Sequence, residues 1–142
     1  MASVFDVAAY ILHRAGSMTA MKLQKLVYYS QAWSLVWDEK PIFPEKIEAW
    51  ANGPVVPELF AAHKGQFTVS DEPSGNRKNL TSEEEKTVDA VVKFYGKKSA
   101  PWLSDLTHRE APWKDARKGV PAGERSNRVI TPAAMAEYYS NL

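Results

Sequence analysis

Residues 19–37 read Thr-Ala-Met-Lys-Leu-Gln-Lys-Leu-Val-Tyr-Tyr-Ser-Gln-Ala-Trp-Ser-Leu-Val-Trp. Thr19 can cap a helix in which Leu23, Leu26, Val27, Ser30, Trp33 and Trp37 share one side, while Tyr28, Ala32 and Leu35 fall on another. From Val27 onward the helix is apolar nearly all round, the pattern of a helix at the centre of a domain, and the end bearing Lys22, Gln24 and Lys25 is expected to reach water. Such a helix needs others to cover it.

The flanking sequence supplies them. Ser3 with Asp6 resembles a capping box, and Phe5, Ala8, Ile11, Leu12 and Ala15 keep helical spacing up to Gly16, giving a helix over residues 4–15. Thr81 with Glu84 is a second capping box, followed by the stripe Val88, Val91, Val92 and Tyr95 before Gly96. A further helix is expected over 99–109, carrying Trp102, Leu103 and Leu106, and a terminal one after Thr131 and Pro132. Between the central helix and these lie β-prone pieces, Ile42-Phe43 and residues 47–51, then a turn at Asn52-Gly53-Pro54 and a short helix over 58–63. Residues 65–79 have turn chemistry and are expected to form an exposed loop or a loosely held hairpin, the most flexible part of the chain. Residues 110–130 form a Gly/Pro/charge-rich connection. The expected architecture is mainly α: residues 1–142 as a single compact helical domain with a small β element of two or three short strands.

Composition bounds the function. The 142 residues include 44% hydrophobic side chains, five tryptophans and no cysteine, with 18 Lys+Arg against 17 Asp+Glu. One core is affordable, with about 7,300 Å² of surface expected for this mass. The absence of cysteine removes disulfides, thiolate metal sites and a Cys nucleophile. The chain has no apolar run long enough for a membrane span, and Met1 to Gly16 lacks the basic region and cleavage site of a signal peptide, so a cytoplasmic protein with no membrane partner is expected. Balanced charge argues against a dedicated nucleic-acid binder. His13, His63 and His108 stand on separate elements without metal-ligand spacing, and GxxxxGK[ST], GxGxxG and GxSxG are all missing. No metal and no cofactor is expected.

The densest polar and aromatic constellation is residues 105–115, Asp-Leu-Thr-His-Arg-Glu-Ala-Pro-Trp-Lys-Asp. His108 lies at a helix end, where the dipole favours its charged form, beside Asp105, Glu110 and Asp115. A small enzyme using His108 with Glu110 or Asp105 can be drawn from this. The reading in which His108 satisfies nearby carbonyls while Trp113 packs over the loop takes precedence, because no nucleophile is placed beside it. Arg109, Lys114, Arg117, Lys118, Arg125 and Arg128 put six basic residues into twenty positions against Glu110, Asp115 and Glu124, a net +3. The interleaved acids disfavour nucleic acid and leave a protein surface open, since Trp and Arg often carry interface energy.

Two blocks taken together are more specific than any of these motifs. Residues 18–33, Met-Thr-Ala-Met-Lys-Leu-Gln-Lys-Leu-Val-Tyr-Tyr-Ser-Gln-Ala-Trp, are followed by Lys40-Pro-Ile-Phe, Ile47-Glu-Ala-Trp and Gly53-Pro-Val-Val-Pro-Glu-Leu-Phe, and later by Leu103-Ser-Asp-Leu-Thr-His-Arg-Glu, Pro112-Trp113 and Ile130-Thr-Pro. In this order they resemble the Panacea domain of the SocA-like, phage-associated antitoxins. The resemblance implies a mostly helical globule with a small β element and a non-enzymatic role in a toxin-antitoxin system. The partner implied is a cognate protein toxin, often a translation inhibitor, neutralised by direct binding. Members of the family are also implicated as adaptors handing a toxin to an ATP-dependent protease, which makes such a protease a second candidate partner. The chain ends without room for a helix-turn-helix domain, so binding of nucleic acid by itself is not expected. No catalytic residue transfers. Among the pattern positions, Leu23, Leu26, Trp50, Gly53 and Pro54 have structural explanations, whereas Lys25, Tyr28, His108 and Trp113 are candidates for partner binding, with Lys114 and Arg117 added from the basic segment.

Overall fold

A computed structural model describes all 142 residues. The central helix of the sequence is α2, Ala20–Trp37, with α1, Val4–Ala15, before it. After α2 come α3, Pro57–Ala62, and α4, Ser82–Tyr95. The C-terminal half holds α5, Ala100–Arg109; α6, Ala111–Ala116; and α7, Pro132–Ser140. Five short strands complete the chain: β1, Met18–Thr19; β2, Ile47–Trp50; β3, Gly53–Val55; β4, Thr68–Val69; and β5, Val129–Ile130. The exposed area, 7517 Å², matches the expectation from mass.

The capping chemistry is as the sequence reads. Ser3 and Asp6 form a reciprocal capping box on α1, Thr81 and Glu84 form one on α4, and Thr19, Ser99 and Thr131 cap α2, α5 and α7 with their hydroxyls. Each such cap satisfies N–H groups that the first turn leaves without partners. Helix α2 packs against α1, α4, α5 and α7 and against β3. Its Leu23, Leu26, Val27 and Tyr29 are fully enclosed, as the all-round apolar pattern requires.

Two glutamines on α2 do the work of missing strands. Of the two pieces expected as short strands or extended segments, residues 47–51 supply β2, and Ile42-Phe43 joins no ladder. Both N–H groups are donated to Gln31 Oε1, at 2.7 and 3.4 Å, and the Phe43 carbonyl accepts from Gln31 Nε2 at 2.9 Å. One turn-pair earlier, Gln24 makes the same clamp on Val56, accepting its N–H at 2.9 Å and donating to its carbonyl at 3.3 Å. Extended chain can therefore be buried against a helix without a ladder, because an amide side chain offers one donor and one acceptor. The end of α2 expected to reach water is correspondingly closed: Gln24 is buried and Lys25 is only 1% exposed.

β2 and β3 form an antiparallel hairpin with Trp50 opposite Gly53, and β5 adds to the other edge of β2 with Ile47 opposite Ile130. A second two-strand ladder pairs Met18 with Val69. Residues 65–79, expected as an exposed loop or a loosely held hairpin, are mostly exposed but are tied down at three points. Val69 is fully buried, Glu72 Oε1 lies 2.6 Å from His63 Nε2 in a closed pair, and the Asn76 N–H is donated to Asp6 Oδ1 at 2.7 Å. The connection 110–130 also contains more structure than expected, namely α6 and β5.

Candidate functional site

The site grows from the Trp50–Gly53 turn, which three elements grip. Gly53 has φ +128°, a conformation that side chains with a Cβ rarely adopt. A Cβ there would stand 2.7 Å from Lys25 Cε, 3.0 Å from Lys25 Nζ and 3.2 Å from Thr107 Oγ1. Only glycine lets the turn backbone lie directly over the Lys25 ammonium. From α5, Ser104 Oγ donates to the Asn52 carbonyl at 2.7 Å, and Thr107 Oγ1 turns back to the Ser104 carbonyl at 2.8 Å.

Pro112 explains why α5 and α6 are separate helices. It has no N–H to give to the His108 carbonyl, so α5 stops at Arg109, Glu110 takes an extended conformation, and Pro112 falls in the first turn of α6, where a missing N–H costs little. This break brings His108 and Trp113 face to face, with ring centroids 4.1 Å apart and planes at 17°. The Trp113 indole N–H is donated to the Trp50 carbonyl at 2.8 Å, locking α6 to the hairpin. The Arg117 guanidinium also lies over the indole, 5.1 Å from the ring centre.

His108, Trp113 and Arg117 are thus assembled around one turn, with Lys25 beneath it. Their availability differs. Trp113 and His108 are half-buried and Lys114 is exposed, whereas Arg117 is buried. Arg117 donates to the carbonyls of Ala49, Pro121 and Glu124 at 3.0, 3.3 and 2.7 Å, so it holds the 117–128 connection onto the sheet. Tyr28 and Lys25 are each 1% exposed, and in the free chain neither offers a side chain to an approaching surface.

Electrostatically, burial holds Lys25 down to about 8. His108 is also lowered from its ordinary value, first by burial and then by the Lys25 ammonium. The Asn52 backbone and Asp105 pull the other way. The helix-end dipole expected to favour the imidazolium is outweighed by desolvation and neighbouring positive charge, so His108 is neutral at pH 7. The imidazole Nε2 is buried without a hydrogen-bond partner.

Sequence reasoning missed a second cluster two residues along. The Glu110 carboxylate is buried on the far side of the α5–α6 break, where Oε1 accepts from Tyr29 Oη at 2.6 Å and Tyr139 Oη at 2.7 Å. Tyr139 having given its proton to Glu110, the 3.0 Å contact between Tyr28 and Tyr139 must be donated by Tyr28. Burial raises Glu110, with the two phenol bonds opposing, and keeps all three phenols protonated well above their usual range. Glu110 makes no hydrogen bond to His108, so the His108–Glu110 pair drawn from sequence is not formed. A lone acid between a helix end and Ala-Pro, facing an all-round apolar helix rich in tyrosine, is the signal that could have found this network.

A family model described as antitoxin SocA-like, Panacea domain, matches residues 23–114. The chain belongs to the SocA-like antitoxin family. No curated relative and no solved structure matches it. The matched Panacea segment begins one turn into α2 and ends in α6, so it contains Lys25, Tyr28, the hairpin, His108, Trp113 and Lys114. Arg117 and Tyr139, which brace the segment from outside, belong to the remainder of the chain. No helix of the protein is long and apolar enough to cross a membrane.

Proposed function

We propose that this chain is an antitoxin that neutralises a cognate protein toxin by direct binding, without catalysis, in the cytoplasm, and that residues 1–142 act as one domain in doing so. Membership of the SocA-like antitoxin family is the observation that carries this reading. The binding face is the surface around the gripped turn. Phe60 is 46% exposed and packs edge-on against Trp50 with centroids 4.9 Å apart, while Trp50 is bonded through its carbonyl to Trp113, which is stacked on His108. Lys114, exposed on α6, supplies charge at the rim. Half-exposed aromatics held rigid by their own hydrogen bonds, next to cations, are the residue types that anchor protein interfaces at small entropic cost. Arg117 serves the face from below by holding its backbone, and Lys25 places a charge beneath the turn.

Co-expression with the toxin encoded beside this gene tests the proposal. Growth is expected to be rescued and the two proteins to co-purify. Phe60→Ala with Lys114→Glu is expected to lose the complex while the chain stays folded with a cooperative unfolding transition, because Lys114 is exposed and Phe60 touches the fold mainly through Trp50. Continued growth arrest with no complex from the wild-type chain refutes the reading.

A further inference from the structure

Under the Asn52–Gly53 turn the free chain gathers cationic groups without an anion. Lys25 is almost wholly enclosed, yet it takes part in none of the three ion pairs of the protein, and no hydrogen bond engages its ammonium. Arg117, also buried, is satisfied by carbonyls alone. Both act on His108 to disfavour its protonation, and Asp105, at the exposed edge of α5, is the one carboxylate that acts on it. The His108 Nε2 atom, buried and unpartnered, completes the set. Enclosed charges are ordinarily paired, since an unpaired one penalises the folded state. Gly53, which has no Cβ, lies over this ammonium, so the thin backbone of the Asn52–Gly53 turn is what separates the unpaired charge from a negative group outside.

We propose that Lys25 and His108, beneath the Asn52–Gly53 turn, form a receiving site for a carboxylate, supplied by an Asp or Glu side chain of the bound protein partner. The inference rests on the antitoxin reading and deepens it by naming what the partner inserts. The donor set suits a carboxylate. Its single negative charge balances the one unpaired ammonium, and its two oxygens can accept from that ammonium and from one ring nitrogen. In the seated state His108 is imidazolium and donates from Nε2 to the incoming oxygen, the carboxylate charge opposing the burial and the Lys25 ammonium that lower its affinity for a proton in the free chain. Binding therefore takes up a proton from solvent. The groups facing His108 that set this equilibrium are Lys25 from α2, Asp105 from α5 and Arg117 from beyond α6.

The test uses the intact 142-residue protein and sodium acetate as the probe. Acetate titrated at constant ionic strength against chloride is expected to shift the His108 imidazole and Trp113 indole resonances saturably. The His108 titration midpoint should rise as acetate is added. Lys25→Met should abolish both responses while leaving the protein folded. Absence of a saturable shift, an equal shift in Lys25→Met, or a response to sulfate but not acetate overturns the assignment. With the toxin, Lys25→Met is expected to weaken binding about thirtyfold, the scale for removing one member of a desolvated charge pair. If the wild-type chain binds the toxin and Lys25→Met binds equally, the carboxylate site is wrong and the antitoxin reading stands. If the wild-type chain does not bind the toxin, the antitoxin reading fails and the acetate titration alone decides the site.

Discussion

Replacing Lys25 by Met should make the free protein more stable at neutral pH, which is the reverse of what loss of a buried side chain usually does. Burial alone brings the Lys25 ammonium from 10.5 down to about 8, a difference of 10.5 − 8 = 2.5. At 1.36 kcal/mol for each unit, the charged lysine opposes folding by about 3 kcal/mol below pH 8. Between the two values the unfolded chain holds a proton that the folded chain lacks, so stability rises with pH across that window. Wild type should therefore gain about 1 kcal/mol between pH 7 and pH 9, while Lys25→Met, which keeps the apolar stem and drops the charge, should not. An advantage of about 2 kcal/mol for the variant at pH 7 corresponds to roughly 6 °C in unfolding temperature for a domain of this size. Urea unfolding of both proteins at pH 7 and pH 9 measures it, with equal slopes required for the comparison. The measurements must stop short of pH 10. Above it, unfolded tyrosines ionise while burial keeps Tyr28, Tyr29 and Tyr139 protonated in the fold, and stability falls with pH for that separate reason. A variant less stable than wild type at pH 7, or a difference that is the same at both pH values, would show that the ammonium is satisfied inside the protein and would sink the argument for an open charge.

Further outcomes are expected from the surrounding residues. Gly53→Ala combines a backbone angle available only to glycine with a Cβ inside contact distance of Lys25, and should cost about 1–3 kcal/mol by urea unfolding. Glu110→Ala strands two buried phenols and should cost about 2–4 kcal/mol, whereas Glu110→Gln retains an acceptor and should lose about 1 kcal/mol or less, a contrast readable in the same assay. Asp6→Ala removes half of the α1 capping box and the tether to Asn76, at a cost of about 1–2 kcal/mol at pH 7. Although burial works to raise Asp6, its bonds to Asn76 and Ser3 hold it below its usual 3.8, so its contribution is present above that value and fades as pH falls through the lower folded one. Stability curves of wild type and Asp6→Ala should therefore converge in acid.

What could be read from sequence was whatever is decided locally. The starts of α1, α4 and α7 follow from Ser3 with Asp6, Thr81 with Glu84, and Thr131 with Pro132, because a cap bonds to N–H groups two or three residues away. The failures share the opposite property. Ile42-Phe43 reads equally as a short strand or an extended segment because a short apolar run looks alike in a ladder or outside one, and its real partner, Gln31, is fixed only by the fold. Residues 65–79 have the turn chemistry they display, but the contacts that hold them, Glu72 with His63 and Asn76 with Asp6, span up to 70 positions. Residues 110–130 read as a Gly/Pro/charge-rich connection, whereas Pro112 within them lies in the first turn of α6. At the site, residues 105–115 stood out in the sequence as a polar and aromatic constellation, but the stacking of His108 on Trp113 was not read from it, because it depends on the break that Pro112 imposes between α5 and α6. The burial of Lys25 was not legible either, since a lysine near a helix start normally faces water, and it is enclosed here only because the hairpin folds Gly53 across it.

The α5–α6 break explains why satisfied and unsatisfied polar groups sit so close together. Helix α2 presents Lys25 and, one turn on, Tyr28 and Tyr29, while the break presents His108 and Glu110 two residues apart on opposite sides. On one side a carboxylate meets hydroxyls, and α7 is drawn in through Tyr139 to complete the network, so that side is closed by the chain itself. On the other side an ammonium and an imidazole nitrogen meet no acid, and the lid over them is a two-residue turn carried on a hairpin that α5 and α6 hold by single hydrogen bonds to the Trp50 and Asn52 carbonyls. Moving Glu110 to the Lys25 side would neutralise the charge and strand the phenols. Its present position fixes the scaffold and leaves the turn side short of one negative charge. A partner that supplies that charge meets a face already ordered by the Trp50, His108 and Trp113 contacts, so its binding energy is not spent on arranging them.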